Sequence, residues 1–206
     1  MSIAGIIGWT GLVLQFYLIL TVTNSPISVV GRFFNFFSYF TVLTNIIAAV
    51  SFTIPIVSPQ SRGGRYFSNP VVQSAITVYI MIVGLVYSTI LQKLWQPVGM
   101  QWWADVLLHY AMPVIYILFW LLFVPQGSLK WKHSLIWLVV PAVYFTYSII
   151  RGVIVDWYPY PFIDVKKLGY GIVLRNALLL MGAFIVFGLI FIALDKLFSR
   201  TSKSAK

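Results

Sequence analysis

The chain has 206 residues, 60% hydrophobic and only 9% charged, with 14 Lys and Arg against four acids for a net charge of +10. A soluble domain carries about 25% charged residues to cover its surface, so water is excluded as the main solvent and an integral membrane protein is indicated. The lack of cysteine excludes disulfides, thiol chemistry and thiolate metal sites, and the scattered cations, with no exposed aromatics interleaved, argue against a nucleic-acid partner.

Crossing ~30 Å of hydrocarbon takes about 20 helical residues, and six runs of that kind follow one another. The first, residues 3–22, has no basic segment before it and no small-residue cleavage site after it, so it reads as a span and not a removed leader. The second, 33–57, holds the polar stretch "SYFTVLTN" at residues 38–45. The third covers 71–91. The fourth, 104–124, carries Asp105 and His109 four residues apart, on one helix face, with Pro113 following. The fifth, 135–155, ends near Arg151 and Asp156. The segment "DWYPYPFID" then leads to the sixth, 172–194, which opens with Arg175 and Asn176. The connectors are too short to divide domains and no internal repeat is visible. The expectation is one all-α domain over residues 1–206, a six-helix transmembrane bundle.

Lys and Arg set the direction. Arg62, Arg65, Lys130, Lys132, Lys196, Arg200, Lys203 and Lys206 fall on one side of such a bundle. Arg32, Lys93, Lys166 and Lys167 lie on the other, with Arg151 and Arg175 just inside spans. The richer side is expected to be cytoplasmic, which puts both termini inside, in a multi-pass protein of the cell membrane. Trp102, Trp103, Trp157 and Tyr158 gather at the opposite face, where interface anchors sit.

Depth then sorts the polar residues. Thr41 lies about two turns into its span from the outer side, and His109 about one and a half turns into its own. Tyr39, Asp105, Arg151, Asp156 and Arg175 fall at similar depth, all in the outer third. An ionisable group inside a span is costly and usually faces a partner or a wet cavity. Each residue also has a plain structural reading. A membrane threonine commonly bonds back to the carbonyl four residues earlier. Asn45 suits interhelical hydrogen bonding. Asp105 fits an N-cap of span four as well as it fits catalysis. Arg151 and Arg175 either snorkel to headgroups or capture an anionic group. His133 sits in a basic interfacial loop and reads as solvated. One buried histidine and one acid are too few for a zinc site, and no cofactor is expected. A hydroxyl, an imidazole and a carboxylate at one depth suit acyl transfer, with Thr41 as nucleophile and His109 as base. Asp105, Asp156 or Asp164 would orient the imidazole.

"SYFTVLTN", "LLHYAMP" and "DWYPYPFID", in that order, resemble motifs of the androgen-induced and androgen-dependent membrane proteins of animals and, most closely, their bacterial six-span relatives. The animal members hydrolyse fatty acid esters of hydroxy fatty acids with a membrane-embedded threonine and histidine. The resemblance implies Thr41 in "YFT" as the nucleophile and His109 as its partner. It matches Tyr160, Pro161, Phe162 and Asp164 to the family's aromatic-proline-phenylalanine-acid segment. Two departures stand out: the spacing from His109 to Pro113 is one residue shorter, and Asp105 replaces an amide-type residue. The implied substrate is a lipid or fatty-acyl ester arriving from the bilayer, with Tyr39, Asn45, Arg151, Arg175, Asp156 and Asp164 around it. A non-catalytic lipid- or anion-binding protein, a small transporter or a structural protein stand as the other readings. A continuous polar path to the inner face would favour the binding or transport reading, and Thr41 and His109 lying far apart would favour the structural one.

Overall fold

The computed structural model describes residues 1–23, 25–94 and 96–204, with the side chains of 201–204 excepted. Of the cations used above for orientation, Lys206 lies outside these residues and Lys203 is described by its backbone alone. Among the described residues all regular structure is helical and no strand occurs. Six stretches are long and apolar enough to cross a membrane: Ser2–Thr21, Phe40–Val57, Pro70–Lys93, Met100–Phe123, His133–Val155 and Val165–Arg200. This is a multi-pass architecture, as the composition requires.

Where the spans start differs from the sequence expectation in three instructive places. The run 33–57 is not one helix: α1 (Ser2–Thr21) is followed by a short α2 (Val29–Phe36) and then α3 (Phe40–Val57). Ser38 explains the break. Its hydroxyl donates to Phe34 O at 2.7 Å, its N–H turns back to Asn35 O at 3.0 Å, and Tyr39 is extended with φ −83° and ψ 128°. Local serine bonding here competes with helix continuation. The fourth span starts earlier than residue 104: α4 (Arg62–Phe67) and α5 (Pro70–Thr89) lead to α6 (Met100–Val106), with Gly99 at φ +60° before its first turn. The sixth starts at Val165, where Asp164 accepts from the N–H groups of Lys166 at 3.1 Å and Lys167 at 3.3 Å. That is an N-cap, which hydropathy does not register. This helix kinks at Gly169, with φ 74°.

The contacts divide the chain into two compact units, residues 1–125 and 126–206. In the first unit α1 runs antiparallel to α3. Gly8 makes the close approach possible, since a Cβ there would lie 2.9 Å from Met112 and 3.2 Å from Ala49. Leu12, Phe36, Val42, Ala49 and Leu108 form an apolar cluster, and Phe16 and Tyr39 pack against it. Buried polar pairs stitch the helices: Ser51 to Tyr116 at 2.7 Å and Trp120 Nε1 to Ser74 at 2.7 Å. The second unit contains α8 (His133–Ile136), α9 (Val139–Val155) and α10 (Val165–Ser204). There Ser134 packs on Gly188, and the Tyr158 ring lies directly over Gly152, where a Cβ would come within 2.0 Å of it.

Candidate functional site

Asp105 sits in the last turn of α6 and is 5% exposed. With the helix starting at Met100, it is not the N-cap of the span. His109 follows one turn later, inside a π-helical segment, Leu107–Ala111, that joins α6 to α7 (Met112–Phe123). Its Nδ1 lies 3.2 Å from Asp105 Oδ1 and 3.1 Å from Asp105 O. Both neighbours are acceptors, so Nδ1 carries a proton, and in the neutral ring Nε2 presents the lone pair. Stacked on the other side is Tyr87 of α5, with ring centroids 3.9 Å apart and planes at 17°. The Tyr87 hydroxyl also faces the Asp105 carboxylate. Held by an acid and a ring, the imidazole has one orientation. Its side chain stays 16% accessible, so the site is not sealed.

The π segment has a physical cause. Pro113 has no N–H, so the carbonyl four residues back, that of His109, loses its helical donor. The Met112 N–H instead reaches Leu107 O, five residues back, which widens the turn. The freed His109 carbonyl points at Gly84 of α5, where a Cβ would sit 3.1 Å from it. Histidine, proline and the facing glycine thus form one local arrangement. Such π-bulges recur at functional sites because they re-aim a side chain.

Thr41 is the second residue of α3 and is 8% exposed. Asn45, one turn below, is completely buried. Its Nδ2 donates to Thr41 O at 2.9 Å and to Leu108 O at 3.2 Å. Both partners are carbonyls, which fixes the amide orientation. Asn45 Oδ1 is left buried without a hydrogen-bond partner. The amide therefore ties the Thr41 turn to the residue preceding His109. Asn45 meets Leu108 and Ser51 meets Tyr116, so α3 and α6–α7 run in the same direction. One turn above that bridge, Thr41 on α3 is level with Ala104 and Asp105 on α6. Tyr39 lies just before, half-buried against the apolar cluster.

Around this core, Tyr110 donates to Gln92 Oε1 at 2.7 Å, and Gln101 donates to Gln15 Oε1 at 2.7 Å. Tyr87 and these glutamines escaped the sequence reading. Nothing within their own helices marks them, and only antiparallel packing of α5 on α6–α7 delivers Tyr87 to His109.

The remaining candidates belong to the second unit. The Arg151 guanidinium lies 5.0 Å from the centre of the Trp157 ring, a cation–π contact. Asp156 closes α9 in the left-handed region, φ 55°, and its exposed carboxylate pairs with Lys166. Asp164 caps α10 and pairs with Lys167 at 3.4 Å. Arg175 is exposed on α10, and Asn176 beside it donates to Phe162 O at 2.9 Å. Among the described residues no three His, Cys, Asp or Glu side chains converge on one point.

An imidazole with Nδ1–H held by a carboxylate and a lone pair at Nε2 is equipped to take a proton from a hydroxyl. No protein-family model, no curated protein and no solved structure matches the chain.

Proposed function

We propose that this protein is an intramembrane hydrolase of lipid esters, of the kind that cleaves a fatty acid ester of a hydroxy fatty acid. Thr41 Oγ1 attacks the ester carbonyl while His109 Nε2 takes its proton. The tetrahedral intermediate collapses to an acyl-threonine, and the proton passes to the departing alkoxide. Water, deprotonated by the same imidazole, then releases the fatty acid and restores the threonine. Asp105 keeps the imidazole in the Nδ1–H form and stabilises the imidazolium as it develops. The proposal includes a place in the cell membrane with both termini cytoplasmic.

The observation that supports it best is the His109–Asp105 pair, 3.2 Å apart within an otherwise apolar helix, with Asn45 joining its turn to that of Thr41. The resemblance in "SYFTVLTN" and "LLHYAMP" points to the same two side chains. The test is labelling of the protein in native membranes with an alkyl fluorophosphonate carrying a long acyl-like chain. Wild type is expected to label, with Thr41→Ala and His109→Ala both silent. Equal labelling of all three would remove the hydrolase reading. Lipid retention without any labelling would leave a binding protein.

A further inference from the structure

Asp195, near the C-terminal end of α10, is only 1% exposed. Its carboxylate accepts from Gly127 N–H at 2.7 Å and from Leu129 N–H at 3.1 Å. A buried carboxylate is tolerated only when hydrogen-bonded, and two main-chain donors meet this one. The result is a strap: the segment before α8 is pinned along the last turns of α10. Gly127, at φ +98°, fits closely there, because a Cβ would lie 2.9 Å from Ser199. Lys196 reinforces the strap, donating to Leu129 O at 3.3 Å while its ammonium lies 5.6 Å from the centre of the Trp131 ring.

The strap sets Trp131 against Lys196, with Lys130 and Lys132 flanking it in sequence and Arg200 one turn further along α10. The chain has four acids in all. Asp105 belongs to the first unit, Asp156 and Asp164 are paired near the other end of α10, and Asp195 is buried under the strap. Among the described residues of the second unit, Lys130, Lys132, Lys196 and Arg200 therefore lie toward this end of α10 with no exposed Asp or Glu of that unit beside them. Trp131 is 54% exposed and next to lysines, the pattern of a ring seated at headgroup level. Leu135, Ile136 and Leu197 leave apolar surface open alongside.

We propose that this strap binds the phosphate headgroups of anionic phospholipids in the adjoining leaflet. The cations supply charge and hydrogen-bond donors to the phosphate. Trp131 marks the interface depth, and the open apolar helix faces take the acyl chains. That combination of cationic and apolar surface favours a lipid over a soluble phosphate. Asp195 acts through the strap: it holds the lysines in place without touching the lipid.

The test uses the full chain in nanodiscs of phosphatidylcholine with one fifth phosphatidylglycerol, and measures the lipid that stays with the protein on detergent extraction. Wild type is expected to enrich phosphatidylglycerol. Neutralising each cation should lower the enrichment about fivefold, as one cation near a charged surface contributes. K130Q/K132Q should therefore lose most of it, and K166Q/K167Q should keep it. Asp195→Asn, which retains every cation, should lower it by loosening the strap. The proposal is overturned if wild type shows no enrichment, or if K130Q/K132Q keeps it in full. It is overturned equally if millimolar inorganic phosphate displaces the lipid, which would make this a soluble-anion site.

Discussion

At the scale of single residues, the informative contacts are those of His109. Two acceptors at Nδ1 define the tautomer, and one ring face is covered by Tyr87. Asp105→Asn keeps the size and an acceptor oxygen but removes the charge that stabilises an imidazolium. The rate of fluorophosphonate labelling should then fall by up to about 10⁴-fold, the loss when a triad carboxylate becomes an amide. Tyr87 separates two contributions. Tyr87→Phe keeps the stacked ring and loses only the hydroxyl facing Asp105, so the rate should drop about fivefold, the worth of one ordinary hydrogen bond. Tyr87→Leu removes the stack and should fall well below the Phe variant. Identical rates for Phe and Leu would show that stacking does not position the imidazole. Asn45 belongs beside them, because its amide links the turn of Thr41 to the turn of His109.

At the scale of elements, the interruption between α6 and α7 governs how the imidazole is aimed. Pro113 removes one backbone donor, the π segment reroutes the ladder, and Gly84 lets α5 come close to the freed carbonyl. Pro113→Ala restores the N–H. The ladder can then close as ordinary α-helix, which turns His109 away from Tyr87. Thermal unfolding in detergent should show equal or slightly higher stability, by up to about 1 kcal/mol for one recovered hydrogen bond. Probe labelling should decrease at the same time. Unchanged labelling alongside raised stability would mean that the π segment does not aim the histidine. A similar logic divides α2 from α3, where Ser38 diverts the backbone and sets Thr41 in the first turn of a new helix. A residue there has fewer helical neighbours above it than one in mid-span.

For the whole molecule, the question is how six apolar stretches are threaded. The cation count expects Arg62 and Lys130 on one side and Lys93 and Lys166 on the other. The chain has no cysteine, so single substitutions report without background. In intact cells, Lys93→Cys and Lys166→Cys should react with a membrane-impermeant maleimide. Arg62→Cys and Lys130→Cys should react only after the membrane is opened. Labelling of Lys130→Cys and Lys166→Cys from the same side would break the proposed threading, since α8 and α9 separate them.

Composition alone dictated a membrane-spanning helical protein, because four acids and 60% hydrophobic residues leave no other solvent for the chain. Residue spacing alone put Asp105 and His109 on one face, since helical geometry is local and needs no partner. Other features required the fold. The break at Ser38, the cap at Asp164 and the π turn at Leu107–Ala111 depend on hydrogen bonds to which hydropathy is blind. Tyr87 on His109 and Asn45 on Leu108 join residues 22 and 63 positions apart, counted from 87 to 109 and from 45 to 108. Whether such groups meet is decided by how whole helices pack. Packing is a property of facing surfaces, and no single segment of sequence contains both.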